Sequence, residues 1–275
     1  MIYYHTGSGN SRHVAELLAG ILGEGLCRIA PGGSAAPSHK GERVIWVFPV
    51  YSWGVPPIVR SFMLRSRGLE GASHYMVCTC GDDVGLTHLQ WRRIARSLGW
   101  KAVGCWSVQM PNNYVLLPGF DVDPARLEAD KLDACGARVA AVARGIRHGA
   151  RVDDVVRGSM PWVKSRILYP LFMRFLMSPR PFRHTDACIG CGKCAAGCPC
   201  SNIVMDSGRP RWVNAPGSDS CAMCLACYHH CPVHAVAYGK RTARKGQYVC
   251  PAQPGPHAEK RADCAPGTEN RQSDR

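Results

Sequence analysis

The chain has no run approaching the roughly 20 apolar residues that a membrane-spanning helix needs, so none of its segments reads as a transmembrane span. Acidic residues are scarce: 20 Asp and Glu stand against 34 Lys and Arg, for a formal net charge of +14. Such a balance suits nucleic acid, anionic lipid or an acidic protein. The sequence carries no helix-turn-helix signature, zinc-finger spacing or aromatic RNA-binding motif, so nucleic acid is not the expected partner. A solvated basic surface, or one that steers an acidic protein, remains. Residues 1–5 run directly into a strand pattern, with no basic stretch ahead of an apolar one. No export leader is expected, and the cytoplasm is the expected compartment.

Cysteine, by contrast, is abundant. Of the 16 cysteines, eight fall into two matched runs. The first is Cys188, Cys191, Cys194 and Cys198, followed by Pro199; the second is Cys221, Cys224, Cys227 and Cys231, followed by Pro232. Each cysteine of the first run has its counterpart 33 residues later. This is the bacterial two-cluster ferredoxin spacing, in which the fourth cysteine of each run ligates the other run's cluster. One 4Fe-4S cluster is expected on Cys188, Cys191, Cys194 and Cys231. A second is expected on Cys221, Cys224, Cys227 and Cys198. Three cysteines at two-residue gaps curl around one cube, and the fourth turns away towards the partner cube. Proline after it has no N–H to leave unsatisfied, and Gly190, Gly192 and Gly197 relieve crowding. Zinc knuckles bring cysteines two at a time, which fits these runs poorly. Disulfides fit poorly with a chain that shows no export signal.

At 275 residues the chain has room for one ordinary domain and a small one. Residues 1–150 alternate short apolar runs with helical patterns. Strands are expected at 1–5, 26–30, 43–50, 75–79 and 102–109, with helices at 10–22, 57–67, 88–98 and 124–148. That alternation predicts an α/β fold with a doubly wound parallel sheet of five strands. Ligands of such sheets lie outside the carboxyl ends of the strands. Four loops at those ends are rich in Gly, hydroxyl, amide or aromatic groups. The first, Thr6-Gly7-Ser8-Gly9-Asn10-Ser11, leads into a helix N-terminus and suits a monophosphate. It carries neither the P-loop lysine pattern nor G-x-G-x-x-G.

The pattern Thr-x-Ser-Gly-Asn-Ser after the first strand resembles the flavodoxin phosphate loop. Pro49-Val50-Tyr51-Ser52-Trp53-Gly54 and Gly81-Asp82 are similar to the second and third flavin loops. With Met110-Pro111-Asn112-Asn113-Tyr114 and the cysteine runs in this order, residues 1–250 resemble a prokaryotic family of flavodoxin–ferredoxin fusions. The resemblance implies FMN in a flavodoxin-like domain, and a smaller α+β ferredoxin-like domain carrying the two clusters. By the same resemblance Thr6, Gly7, Ser8, Gly9, Asn10 and Ser11 hold the phosphate, and Tyr51 or Trp53 stacks on the ring. Gly54, Gly81 and Asp82 contact its edge.

The expected organisation is a flavin domain at 1–150, a connecting helical segment at 151–180, a cluster domain at 181–240 and a disordered tail at 252–275. Pro170 is expected to break the connecting segment, whose aromatics should be buried between the domains. A basic amphipathic segment of this kind can also touch a membrane surface. Cys78 and Cys80 share one strand face and read as buried free thiols. Cys200 falls outside the repeat and is not counted as a ligand. The expected function is electron transfer between FMN, two clusters and protein redox partners, with acidic partners steered by the basic surface. A flavin-dependent reductase of a small molecule and an iron-sulfur redox sensor are the alternatives.

Overall fold

The computed structural model describes residues 1–37, 41–213 and 221–251, and the backbone of Arg261–Asp263. Its first part is a parallel sheet with helices on both faces. The strands are β1 (Ile2–Tyr4), β2 (Leu26–Arg28), β3 (Arg43–Pro49), β4 (Ser73–Cys80), β5 (Lys101–Gln109) and β6 (Asp153–Asp154), in the order β2-β1-β3-β4-β5-β6. Every neighbouring pair is parallel. Arg261–Asp263 pairs outside β2; the rest of the tail expected at 252–275 lies outside the described residues.

Alternation along β3 sorts the two faces. Val44, Trp46 and Phe48 point into one core with α2 (Pro57–Arg65) and α3 (Thr87–Ser97). Ile45 and Val47 point into the other with α1 (Asn10–Leu22) and α4 (Ala125–Arg147). The helices present matching stripes: Val14, Ala15, Leu18, Ala19 and Leu22 are buried on α1, and Cys135, Val139, Val142, Ala143 and Ile146 on α4. This is the 3.6-residue period of a helix lying on a sheet.

The sheet has one strand more than the five expected before the tail. β6 is two exposed aspartates, so it carries no apolar pattern. Charge ties it to the sheet instead: Asp153 pairs with Arg92 at 2.7 Å, and Asp154 with Arg138 at 2.7 Å.

The connecting segment is helical only over residues 161–175, as α5 (Pro161–Val163), a π stretch (Lys164–Leu168) and α6 (Tyr169–Phe175). Pro170 does not break it. The π turn, in which the Tyr169 N–H reaches back to the Lys164 carbonyl, comes just before the residue that lacks an N–H. The expected burial holds for Phe172 but fails for Trp162 and Phe175, which are 61% and 65% exposed.

Residues 181–251 are built from short pieces. β7 (Phe182–His184) pairs antiparallel with β10 (Val236–Tyr238), and β8 (Ile203–Asp206) with β9 (Arg209–Trp212). The four-residue helices α7 (Lys193–Ala196) and α8 (Ala226–His229) lie within the two cysteine runs. Phe182, Ile203, Trp212, Tyr228, Val236 and Tyr238 form a core that also takes in Val115 and Leu116 from the loop after β5.

One buried histidine makes the main core acid-sensitive. His74 stacks on Trp100 at 4.5 Å, its Nδ1 accepts from Trp46 Nε1 at 3.2 Å, and its Nε2 meets the Leu69 carbonyl at 2.9 Å. Burial pushes its pKa down from 6.5 to about 4. The unfolded chain therefore binds the extra proton first, and the stability is present above pH 6.5 and lost as pH falls towards 4. The full loss is about 3 kcal/mol. Urea midpoints measured from pH 7 downwards should fall over that window, and His74→Gln should flatten the slope. An unchanged slope in that variant would put the acid sensitivity elsewhere.

Candidate functional site

The carboxyl ends of β1, β3, β4 and β5 open into one pocket. Gly7 reaches it from the first loop; Tyr51, Ser52 and Trp53 from the second; Cys80, Gly81, Asp82 and Asp83 from the third; and Asn112, Asn113 and Tyr114 from the fourth. Leu116, Leu117 and Phe120 close one side, and Phe172 and Met177 come from the connecting segment. Met223, Cys224 and Leu225 of the second cysteine run form another wall.

The second loop is a tight turn whose two central residues both have positive φ, 44° at Ser52 and 64° at Trp53. Tyr51 and Gly54 exchange backbone hydrogen bonds at 3.0 Å across it. Side chains rarely accept that conformation, which costs about 1 kcal/mol or more per residue. The connecting helix holds the turn in place. Ser165 Oγ donates to the Trp53 carbonyl at 2.9 Å, and Lys164 Nζ lies 5.3 Å from the Trp53 ring centroid while pairing with Asp83. Gly54 does not line the pocket. The Tyr169 ring occupies the place where a Cβ would stand, and the Tyr169 hydroxyl donates to the Val55 carbonyl at 3.0 Å. Tyr51 meets His5 Nε2 through its hydroxyl at 3.2 Å. Burial raises the Tyr51 pKa well above 10.0, with Cys224, Cys200 and Cys221 adding to the effect, so the hydroxyl keeps its proton.

The first loop lies between that pocket and a basic cleft. Thr6, Gly7 and Gly9 border the cleft together with Arg12, Arg28, Lys193 and His230. Most of the loop's side chains are already engaged. The Gly9 N–H donates to Thr6 Oγ1, Asn113 Nδ2 donates to Ser8 Oγ, and Ser11 Oγ bonds Thr79 Oγ1. Asn10 is held by the Pro111 carbonyl and the Tyr248 hydroxyl. What the loop leaves for an anion is backbone: Gly9, φ 108°, precedes α1, with no side-chain cap on the helix's first turn. Helix-end N–H groups and small residues suit a phosphate, so the loop's backbone is compatible with one, although of its six residues only Gly7 lines the strand-end pocket.

The cysteines sort into two sets. Cys188, Cys191, Cys194 and Cys231 line one small cavity. Cys198, Cys221, Cys224 and Cys227 line another, with Cys200 as a fifth thiol. The fourth cysteine of each run thus stands with the other run's first three. Each set surrounds a space; among the described residues no three His, Cys, Asp or Glu side chains converge on a single ion position. Burial pushes the Cys221 thiol up to about 12 and Cys224 up to about 11, and it raises Cys194 and Cys227 as well. Thiols grouped this closely, several of them held protonated by burial, would need a positive centre before they could ionise together, and iron would supply one. N–H groups also point at the sulfurs, from Asn202 to Cys198 at 3.4 Å and from Ala235 to Cys231 at 3.2 Å. Those two bonds are equivalent in the two runs. The donor sets fit two clusters.

Cys80 borders the pocket, whereas Cys78 is sealed in the core; burial raises both thiols, Cys80 to about 12. Sequence reasoning missed the strap formed by residues 245–250. Tyr228 Oη donates to the Lys245 carbonyl, Gln247 Nε2 donates to the carbonyls of Tyr228 and Cys231, and the Tyr248 N–H reaches His229 Nδ1. At its far end the strap bonds the first loop through Tyr248–Asn10 and through the Cys250 N–H on the Ser8 carbonyl, at 2.8 Å. A short aperiodic segment of this kind has no pattern to read.

No family model matches the chain, and no curated protein does. Among solved structures the chain is similar to a Bacillus subtilis protein described as Trp repressor binding protein, at 14% identity over 52% of this chain and 96% of that one, with a TM-score of 0.37. A likeness of that size carries no argument about the site.

The closest approach in the site is at Gly7, where a Cβ would collide with the Cys224 carbonyl oxygen. The obstacle is backbone, so it cannot swing aside. Gly7→Ala should cost about 1–3 kcal/mol and should loosen residues 221–231. A lower unfolding midpoint together with faster proteolysis in that segment is the expected result; an unchanged protein would mean that the loop and the second run are not held in contact.

Proposed function

We propose that the chain is an electron-transfer iron–sulfur flavoprotein, with FMN in the pocket at the strand ends and a 4Fe-4S cluster in each cysteine cavity. One observation carries the reading. Met223, Cys224 and Leu225 line both the pocket and the second cysteine cavity, so the two spaces share a single wall. FMN exchanges electrons in ones or twos and each cluster exchanges one, so together they would link two-electron and one-electron partners.

The chain's own residues have definable parts in this. Tyr51 and Trp53 would bound the ring and exclude water from it. His5 and Tyr51 form a buried pair whose neutral state is favoured: burial lowers the His5 pKa to about 3. The N–H groups that meet the sulfurs of Cys198 and Cys231, and that of Met223, which meets Cys221 Sγ at 3.4 Å, would tune them, since N–H···S bonds and local charge set cluster potentials. Arg28 borders the basic cleft beside the first loop. The basic surface suits acidic redox proteins as partners. A reducing cytoplasm suits eight free thiolates.

A second reading, reduction of a small molecule, has one observation in its favour. Leu117, Phe120, Phe172 and Met177 give the pocket an apolar outer wall beyond the polar rim, where an acceptor could lie beside the flavin.

Anaerobic purification followed by iron, zinc, sulfide and flavin assay tests the proposal. About eight iron and eight sulfide with one FMN per chain are expected, with coupled EPR signals after dithionite. Zinc in place of iron, or no flavin, would refute it. Cys191→Ser and Cys227→Ser should each perturb a different cluster signal, and Cys200→Ser should leave both. Loss of the second cluster in the Cys200→Ser variant would make Cys200 a ligand and overturn the assignment.

A further inference from the structure

The connecting helix uses one face to hold the site and leaves the other in solvent. The inward face is fully employed: Lys164 pairs with Asp83, Ser165 bonds Trp53 and Leu86, Tyr169 bonds Val55, and Phe172 is buried. The outward face carries Trp162, Ile167, Leu168, Leu171 and Phe175, each more than 40% exposed, with Met160 just before the helix at 67%. Exposed apolar side chains are ordinary when scattered; a row of them on one element marks an interaction surface.

The segment's own charges are of one sign, and Asp83, the carboxylate that meets it, is paired with Lys164. Arg166 and Arg174 are exposed on the same helix, Arg157 and Arg180 flank it, and no Asp or Glu occurs between Asp154 and Asp186. The Arg174 guanidinium lies 5.6 Å from the Phe175 ring centroid. From these observations we infer that residues 160–175 dock the protein on an anionic lipid surface, with the helix lying in the plane of the headgroups.

Three features favour a bilayer over a protein partner. The outward face offers apolar side chains and guanidinium groups but no carboxylate and no amide, so it has little with which to select a matching protein surface. Its exposed side chains stand on one short helix, which lipid can surround and which a protein would have to meet with a matching groove. Tryptophan, phenylalanine and leucine beside arginine are the side chains that settle at the headgroup boundary. Among the described residues no helix is long and apolar enough to cross a membrane, so the segment would lie on the surface. Because Ser165, Tyr169 and Phe172 pin it to the body, the stripe is formed before it binds and no folding cost attends docking.

The test is sedimentation of the full, anaerobically purified chain with vesicles of phosphatidylcholine, with and without phosphatidylglycerol. Binding to the anionic vesicles should exceed binding to neutral ones by at least about tenfold and weaken with salt. Trp162→Ser/Phe175→Ser should lower it by about tenfold or more while leaving the unfolding midpoint unchanged, since both residues are exposed. Arg166→Gln/Arg174→Gln should weaken binding and flatten its salt dependence. Three outcomes would overturn the inference. One is no vesicle binding. Another is anionic binding equal in wild type and both variants, which would assign it to basic surface elsewhere. The third is self-association, or capture of an acidic protein, that the Trp162→Ser/Phe175→Ser variant abolishes without any vesicle effect.

Discussion

A missing side chain governs the whole arrangement. Residue 7 has to be glycine because the carbonyl of Cys224 fills the space a Cβ would take. That approach presses the second cysteine run onto the first loop of the sheet, and much else serves to hold it there. His230 faces the Gly7 carbonyl, the 245–250 strap bonds both partners, and Asn113 ties the fourth loop to Ser8 and, through its carbonyl, to His229. Each contact is modest, about 1 kcal/mol net for a neutral hydrogen bond. Their common effect is geometric: they keep a cysteine cavity and the strand-end pocket on opposite sides of one short peptide.

The π turn belongs to the same logic. Ser165, Tyr169 and Phe172 stand at i, i+4 and i+7 and face the sheet together, and the winding widens just before the proline at 170. A regular helix would have to sacrifice a backbone hydrogen bond at the proline. Instead the segment braces the strained Tyr51–Gly54 turn from outside, and a strained turn persists only where its surroundings over-determine it.

Sequence reading recovered the main sheet because its strands and helices announce themselves by period. β3 alternates between two cores, and α1 and α4 repeat every three or four residues. The pairing of the cysteine runs was legible for a different reason: the offset of 33 residues is rigid, and a repeat of ligand spacing leaves few geometries. The features that escaped depend on contacts between distant segments. β6 is two aspartates held by arginines from α3 and α4, the strap has no periodicity, and the exposure of Trp162 and Phe175 depends on how the connecting helix is seated on the body of the protein rather than on composition. The conformation of the Tyr51–Gly54 turn escaped too, because Ser and Trp at its centre give no sign of positive φ.

The two cysteine runs are alike in backbone and unlike in side chain, and the difference is informative. In the first run Gly190 and Gly192 adopt φ of 70° and 72°; at the same offsets in the second run stand Met223 and Leu225, at 49° and 60°. The left-handed conformation costs glycine nothing and costs a side chain about 1–2 kcal/mol. The second run therefore carries strain that the first avoids, at two positions where glycine would serve the backbone better. What glycine could not do is fill space. Met223 and Leu225 belong to the apolar core of residues 181–251 and line both the pocket and the neighbouring cysteine cavity. Their side chains are the material of the dividing wall, and with glycine there water would reach the Cys224 sulfur from the pocket side. Between equivalent positions of the two runs, the added strain falls at the wall between the two spaces, where side chains take the place of glycine; the first cysteine cavity, with its glycines, has no such wall to build.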